Sequence, residues 1–336
     1  MGTVFKTIIT RTQQMAKMQE LYPEHWLRQC FQELKRVMIA FDGRMLVSMV
    51  VGIVDDATGM LYFVNAEHPH VVLLRDGRAR FVEEKGILRK VGMDDPQEIF
   101  VVQTVPLQAN DVIVVGSDGR DDVEVGKTEA GVPMINEDEL AFLADVEKSE
   151  GRLDRLEELI RQRGTVIDDL SLIRIAYRED APQLLEPSSP EYLQLIRDTR
   201  IAYRARDYGR VRALIADARL DENDALRNRE ALRMLLRAYI ETKDFAAAAG
   251  LAANYTEQYA DDNTALLWYS FVLRRVNEPA RAIDVGERLF MRDPRNARNL
   301  RHLTSLHAKH GDPGRGAELL KLLSELKGAD DADNSF

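Results

Sequence analysis

The feature that most constrains the fold is a repetition in the second half of the chain. Four short segments each contain a polar residue or glycine, then an acid, then an aromatic residue or proline. They begin at Arg206, Lys243, Asn277 and Gly311, so consecutive segments lie 37, 34 and 34 residues apart. A period of this length accommodates two helices and a turn, and stacked copies bury one continuous core. The pattern predicts a helical repeat array, and an unrelated helix bundle is the alternative.

Small or modest side chains recur three positions after each repeated segment, where two helices are expected to touch. They are Val211, Ala248, Ala282 and Gly316. A helix–turn–helix unit with this period and small residues at the crossing resembles the tetratricopeptide repeat. The resemblance implies repeats over residues 191–328 that bind a protein or peptide. An acidic tail at 329–336 is predicted to be disordered.

The first half of the chain predicts strands flanked by helices. Residues 3–20 and the segment that Pro23 opens predict two amphipathic helices, and 137–147 and 153–163 predict two more. The predicted strands are 45–54, 61–65, 71–74, 78–82, 99–105, 112–115 and 170–177. Clustered strands of this kind predict an α+β layered β-sandwich flanked by helices, over residues 1–178. The segment 179–190, rich in proline and serine, predicts a linker.

Composition narrows the classes of function. A formal net charge of −10 over 336 residues argues against a nucleic-acid-binding surface. Cys30 is the single cysteine, which excludes an intrachain disulfide and a cysteine-based zinc site. A cytoplasmic protein is therefore expected. The most apolar run, 45–54, is half the roughly 20 residues that a membrane span needs, so no span is predicted.

Two acidic segments stand at predicted strand ends. The apolar strand within 111–122 runs directly into Asp118 and Gly119, and the last strand is preceded by Asp168 and Asp169. Carboxylates held at strand ends can share a hard cation such as Mg²⁺ or Mn²⁺, which favours hydrolysis of a phosphate ester. The alternative is an ordinary strand-to-turn junction, where Asp and Gly are common.

Three motifs give these segments a family. They are Asn65-Ala66-Glu67-His68-Pro69, Ser117-Asp118-Gly119 and Asp168-Asp169-Leu170-Ser171-Leu172. In this order they resemble the protein phosphatase 2C-like (PPM-type), metal-dependent serine/threonine phosphatases. The likeness covers about residues 3–178 and is greatest for the bacterial branch related to the sporulation stage II E and stress-response phosphatases. It implies a four-layer sandwich, two β-sheets between helices, with a dinuclear Mn²⁺ or Mg²⁺ site.

The resemblance also assigns residues. Asp118 and Asp168 match metal ligands, and Asp169 is a supporting acid or an alternative ligand. His68 is interpreted as structural, although His68 and His70 could form a metal-binding pair. The residues expected to support the motifs are Gly119, Asn65 and His68.

Two departures from the family pattern bear on activity. Glu67 stands where the family has glycine, and the family's first metal motif (Asp, two residues, Gly-His-Gly) is absent. That motif belongs just before the helix that begins near Thr3. We expect the chain to be the downstream part of a longer protein. The alternative is a non-catalytic relative.

The resemblance implies hydrolysis of phosphoserine or phosphothreonine on a regulatory phosphoprotein. An anti-anti-sigma-type regulator in a partner-switching circuit is the expected kind of substrate, and the repeats would bind a protein partner. The alternative is a catalytically inactive phosphatase-fold scaffold whose repeats bind the partner. In a third interpretation the repeats only stabilise or oligomerise the chain.

Overall fold

The structure, a computed structural model, describes residues 2–18, 21–40, 45–82, 88–93, 95, 98–129, 131–136, 138–179, 190–217 and 229–333. The chain divides into two compact units, Met1–Gln183 and Leu184–Phe336. The predicted linker at 179–190 lies almost entirely outside the described residues. None of the described helices combines the length and the apolar composition needed to cross a bilayer.

Two helices form the first layer of the first unit: α1 (Gly2–Met18) and α2 (Pro23–Ile39). Pro23 lies at the start of α2, where its missing N–H leaves no hydrogen bond unmade. The predicted apolar stripe of α2 is buried, with side chains no more than 3% exposed: Leu27, Phe31, Leu34 and Met38. The helix α2 contacts the first two strands that follow it in the chain.

The described strands of the first unit form three antiparallel sheets. They are β1 (Met49–Asp55), β2 (Met60–Ala66), β3 (Val72–Arg75), β4 (Arg78–Phe81), β5 (Gln103–Pro106), β6 (Asp111–Gly116), β7 (Val123–Lys127), β8 (Pro133–Ile135), β9 (Thr165–Val166) and β10 (Leu172–Tyr177). The sheet orders are β1-β2-β5, β10-β6-β3-β4 and β8-β7-β9. Two helices, α3 (Leu140–Ser149) and α4 (Leu153–Arg163), complete the unit.

Alternation along the strands divides the core into two layers. Between the first and second sheets lie buried side chains from both, among them Leu61, Phe63, Val105, Leu73 and Ile113. The other face of the second sheet packs on α3 and α4 through Val72, Val112, Val114, Phe142, Val146, Leu156 and Ile160. The order helix, sheet, sheet, helix confirms the predicted layered sandwich.

The third sheet was not predicted from sequence. Its strands have two to five residues, too few for apolar alternation to identify them in the sequence, and β8 is exposed along its whole length. The first predicted strand also begins late, at Met49 and not at residue 45. Its partner β2 ends at Ala66, and the next residue, Glu67, turns the backbone into the left-handed region with φ of 44°. Before Met49 the pairing continues as an isolated bridge, in which the N–H of Val47 donates to the carbonyl of Val91 at 3.0 Å and the N–H of Val91 donates to the carbonyl of Val47 at 2.9 Å.

The second unit is a row of helix pairs. Its helices are α5 (Pro190–Arg204), α6 (Tyr208–Asp217), α7 (Arg229–Glu241), α8 (Phe245–Gln258), α9 (Asn263–Arg275), α10 (Pro279–Arg292), α11 (Ala297–His310) and α12 (Pro313–Asp333). The second helix of each pair begins at the last residue of a repeated segment, which confirms the predicted repeat. The helix α12 continues into the segment predicted as a disordered tail, and the domain bounds stay predictions.

Three of the four repeated segments share one turn geometry. Arg206, Lys243 and Asn277 all adopt left-handed φ values, between 57° and 62°. The N–H of the acid that follows each of them donates to a carbonyl five residues earlier, at 2.9 Å in all three turns. This closure satisfies carbonyls at the end of the first helix and reverses the chain for the second. At the helix crossings Ala248 and Ala282 are fully buried, as their small size predicts.

Candidate metal centre

Two loops bring three aspartates together. After β6 the chain makes a single 3₁₀ turn, Asp118–Arg120, and the N–H of Asp122 donates to the carbonyl of Asp118 at 3.0 Å. Asp168 comes from the loop between β9 and β10. One carboxylate oxygen from each of Asp118, Asp122 and Asp168 lies within 4.8 Å of the other two. We call these three residues the acidic cluster.

Ser117 fastens the two loops to each other. Its N–H donates to the carbonyl of Ser171 at 2.9 Å, and its hydroxyl donates to the carbonyl of Asp169 at 2.7 Å. The N–H of Ser171 in turn donates to the Ser117 hydroxyl oxygen at 2.9 Å. Three hydrogen bonds therefore fix the loop of Asp118 relative to the loop of Asp168.

Gly119 allows the close approach of these loops. A Cβ atom at this position would lie 2.6 Å from the carbonyl oxygen of Asp169 and 3.1 Å from that of Asp168. The first distance is shorter than any real carbon–oxygen contact, and a backbone carbonyl held in a loop cannot swing aside. Only glycine fits without separating the two halves of the acidic cluster.

The buried side chain of Arg120 holds this turn in place. Its side chain is 2% exposed, and its guanidinium lies 4.3 Å above the ring centroid of Phe142. It donates to the carboxylate of Asp121 at 3.0 Å and to the carbonyl of His70 at 2.9 Å. Arg163 donates to the Arg120 carbonyl at 2.8 Å. A buried, fully engaged arginine therefore stands between Asp118 and Asp122 in sequence and holds their turn against the core.

The structure brings together two of the three predicted ligands. Asp118 and Asp168 belong to the acidic cluster, but Asp122 takes the third place and not Asp169. Asp169 contributes its backbone to the Ser117 clamp. Sequence reasoning missed Asp122. Its separation of four residues from Asp118, about one helical turn, is a local signal, but the spacing alone does not show that the segment turns.

The Asn65–Pro69 motif builds a turn and not a ligand set. The Asn65 side chain donates to the carbonyl of His68 at 2.9 Å and accepts from its N–H at 2.8 Å. Between them Glu67 takes a left-handed φ, a conformation that glycine adopts without strain. The His70 ring packs on Phe81, with ring centroids 5.1 Å apart. Among the described residues, no metal-binding group includes either histidine.

The electrostatics of the acidic cluster favour a cation. Burial raises the pKa of Asp122, and the charges of Asp118, Asp168 and Asp121 raise it further. Gathered carboxylates repel each other, and a hard divalent cation relieves that repulsion while taking oxygen ligands of this kind. Asp118 and Asp168 are exposed and Asp122 is partly exposed, so the site is open to solvent. The residues present therefore fit a Mn²⁺ or Mg²⁺ site.

Comparison with known proteins adds a family. Residues 2–178, more than half of the chain, match the family described as Stage II sporulation protein E (SpoIIE). No curated protein matches the chain.

Solved structures give weaker likenesses. The phosphatase domain of the cell fate determinant SpoIIE from Bacillus subtilis, presoaked in Mn, is 15% identical, with a TM-score of 0.33 over 54% of this chain and 74% of that chain. The RsbU and RsbW domains of a Mycobacterium tuberculosis protein are 19% identical, with a TM-score of 0.37 over 70% and 61%. A MamA RS-1 double mutant is 15% identical, with a TM-score of 0.39 over 43% and 79%. Because these TM-scores are below 0.5, only the family match carries weight.

Proposed function

The chain belongs to the Stage II sporulation protein E (SpoIIE) family, and from that premise we propose that it is a metal-dependent protein serine/threonine phosphatase. Its substrate is a regulatory phosphoprotein, of the anti-anti-sigma type found in partner-switching circuits. The observation that carries the proposal is the acidic cluster: three carboxylates from two loops, with oxygens within 4.8 Å of one another. Asp118, Asp122 and Asp168 hold the cation, and Asp169 supports the loops.

The residues of the chain position the reaction. A Mn²⁺ or Mg²⁺ ion, when bound, would lower the pKa of a water molecule and neutralise negative charge on phosphoryl oxygens. Ser117 and Gly119 hold the two acidic loops at a fixed separation, and Arg120 keeps Asp118 and Asp122 on the same turn. Preorganised ligands of this kind lose little free energy to rearrangement when the reaction takes place.

The openness of the site supports a protein substrate. Asp118 and Asp168 are exposed on loops at one edge of the sandwich. A phosphorylated side chain on the surface of a folded protein can therefore approach without a deep channel. The repeat unit binds a protein or peptide partner through its stacked helix pairs. A cytoplasmic location, expected from the single cysteine, is part of the same proposal.

A second candidate function is a non-catalytic docking protein. It is favoured by the small number of carboxylates in the acidic cluster, since three ligands are few for two hard cations. In that case the sandwich would serve as a binding surface and the repeats would select the partner.

One experiment separates the two functions. Hydrolysis of an aryl phosphate is measured with and without Mn²⁺, for the chain and for Asp118→Ala, while calorimetry follows Mn²⁺ binding. The phosphatase proposal expects hydrolysis that needs Mn²⁺ and is lost in Asp118→Ala. Absence of both hydrolysis and Mn²⁺ binding would overturn it and leave the docking function.

A further inference from the structure

The repeat unit contains a cavity whose walls are rich in arginine. Its volume is about 360 Å³, and it is lined by Arg200, Tyr203, Arg204, Glu230, Arg233, Met234 and Trp268. These residues come from α5, α7 and α9, the first helices of three successive pairs. A second cavity, of about 500 Å³, shares Glu230 and Arg233 with the first. We call the lining of the first cavity, together with Arg237, the arginine groove.

The arginines are arranged in register on neighbouring helices. Arg200 and Arg204 are four residues apart on α5, and Arg233 and Arg237 are four apart on α7, so each pair shares one helix face. The guanidinium groups of Arg233 and Arg237 lie 5.6 Å and 5.4 Å from the ring centroid of Trp268. Stacking on an aromatic face fixes a guanidinium with its N–H edge directed at an acceptor. Both edges already meet a carboxylate of the chain, Arg233 that of Asp262 at 2.8 Å and Arg237 that of Glu241.

One carboxylate of the chain itself, that of Glu230, already binds in the groove. Glu230 accepts two hydrogen bonds from Arg200, at 2.6 Å and 2.5 Å, in the two-pronged geometry that suits a carboxylate. The side chains of Arg200 and Glu230 are 50% and 46% exposed. An ion pair this exposed adds little net stability, so another carboxylate can replace Glu230 at small cost.

The charge of the groove selects the ligand. Three arginines and one glutamate line the first cavity, and with Asp262, which pairs with Arg233, counted as well, an excess of one positive charge remains in a chain of net charge −10. A long polyanion such as RNA would be repelled by the net negative charge of the protein, whereas a short acidic segment contacts only the groove. Planar carboxylates match the fork that Arg200 presents.

We propose that the arginine groove binds an acidic peptide segment of a partner protein, whose carboxylates engage Arg200, Arg204 and Arg233 beside Trp268. Glu230 and Asp262 act as internal competitors, which occupy Arg200 and Arg233 when no partner is present. This inference rests on the proposed protein-binding role of the repeats and does not depend on phosphatase activity.

Binding is tested on the full chain by fluorescence anisotropy. The probe is a labelled ten-residue peptide of glutamate, glycine and leucine, and the matched control has lysine in place of each glutamate. We expect the glutamate peptide to bind and the lysine peptide not to bind. Arg204→Glu and Arg233→Glu should each weaken binding about tenfold or more, as loss of one charge-assisted contact does.

Two further variants make the test specific. Glu230→Gln should tighten binding severalfold because it removes one of the two competitors, whereas a groove that is only a structural feature predicts no gain. Lys321→Glu, at a site 79% exposed on α12, makes the same charge change elsewhere and should leave binding unchanged.

The outcomes that overturn the proposal are equal binding of the two peptides, weaker binding by Glu230→Gln, or no loss in either arginine variant. Tighter binding of a single-stranded oligonucleotide than of the glutamate peptide would assign the groove to nucleic acid instead. Loss of aryl phosphate hydrolysis would affect only the phosphatase proposal, since the anisotropy signal does not depend on it.

Discussion

The acidic cluster of the first unit and Glu287 of the repeat unit place carboxylates in opposite surroundings. In the cluster, burial and neighbouring aspartates raise the pKa of Asp122. Burial also acts to raise the pKa of Glu287, but hydrogen bonds and charge from Arg315 and then His307 outweigh it and leave the pKa lowered. One site gathers like charges and the other matches opposite ones.

The difference separates a site from a structural joint. Glu287 on α10, His307 on α11 and Arg315 on α12 connect three helices through contacts of 2.9 to 3.0 Å. A matched buried charge of this kind stabilises the fold and gives nothing to a ligand. The acidic cluster keeps its repulsion, which a bound cation would relieve. Removing charges one at a time should therefore have opposite effects in the two places.

The largest effect is expected at the repeat joint. Glu287→Ala leaves His307 and Arg315 without their carboxylate, and breaking a buried ion pair from one side costs about 3–5 kcal/mol. The measurement is urea unfolding of the chain followed by helical circular dichroism. Glu318→Ala is the control, because it removes another partner of Arg315 whose side chain is 68% exposed. Similar losses of unfolding free energy in the two variants would show that the contacts of Glu287 with His307 and Arg315 do not stabilise the fold as described.

The same joint predicts a pH dependence. Because the pKa of Glu287 is lowered in the folded protein, its stabilising contribution is present above the ordinary carboxyl pKa of 4.5 and is lost as the pH falls below it. The urea concentration at the unfolding midpoint should therefore decrease as the pH is lowered below 4.5. This decrease should be smaller in Glu287→Gln. An identical acid profile in the variant would contradict the assignment.

The next largest effect is expected at Arg120. Replacement by methionine removes the guanidinium that contacts Asp121, the His70 carbonyl and the Phe142 ring, and we expect a loss of about 2–4 kcal/mol in unfolding free energy. Mn²⁺ affinity measured by calorimetry on the folded variant should also fall, since the turn between Asp118 and Asp122 loosens. An Arg120→Met protein that is less stable but binds Mn²⁺ unchanged would make Arg120 structural only.

A smaller loss of stability is expected at Gly119. The added methyl group of Gly119→Ala meets the Asp169 carbonyl at 2.6 Å, and relieving such overpacking costs about 1–3 kcal/mol. Relief of this contact pushes the two acidic loops apart. The rate of aryl phosphate hydrolysis should therefore fall even under conditions where the variant remains fully folded. Gly126→Ala is the matched control, since nothing lies within 4 Å of its added Cβ. Equal activity in the two alanine variants would show that the loops do not need this close approach.

A structural feature can be predicted from the sequence when the residues that determine it are close together in the chain. The repeat was predictable because each turn needs an acid and a helix-starting residue at fixed positions, as at Asp244 and Phe245. The strands predicted at 71–74 and 78–82 were predictable for the same reason, because Asp76 and Gly77 between them form a tight turn in which both residues have left-handed φ. Asp122 was missed because its place depends on a 3₁₀ turn that is set by contacts from distant loops.

Arg120 was missed for a different physical reason. Arginine is almost never fully buried unless it is paired, so a sequence gives it a solvent-exposed place by default. Its burial here results largely from two groups far away in the chain, the Phe142 ring and the His70 carbonyl. The adjacent Asp121 provides a partner, but that pairing does not by itself indicate burial.

The smallest effect on stability, and the clearest test of the acidic cluster, is expected from Asp122→Asn. This change removes one like charge from a mutually repelling group, so thermal unfolding should shift slightly upward, while Mn²⁺ binding should weaken about tenfold or more, as loss of one charged ligand does. Asp169→Asn is the matched variant, since the hydrogen bonds that the structure describes for Asp169 are made by its backbone. It should keep Mn²⁺ affinity within about twofold, near the limit of what such a comparison resolves. If Asp169→Asn loses the metal and Asp122→Asn keeps it, the ligand set expected from the family motif is right and the cluster in the structure is not the metal site.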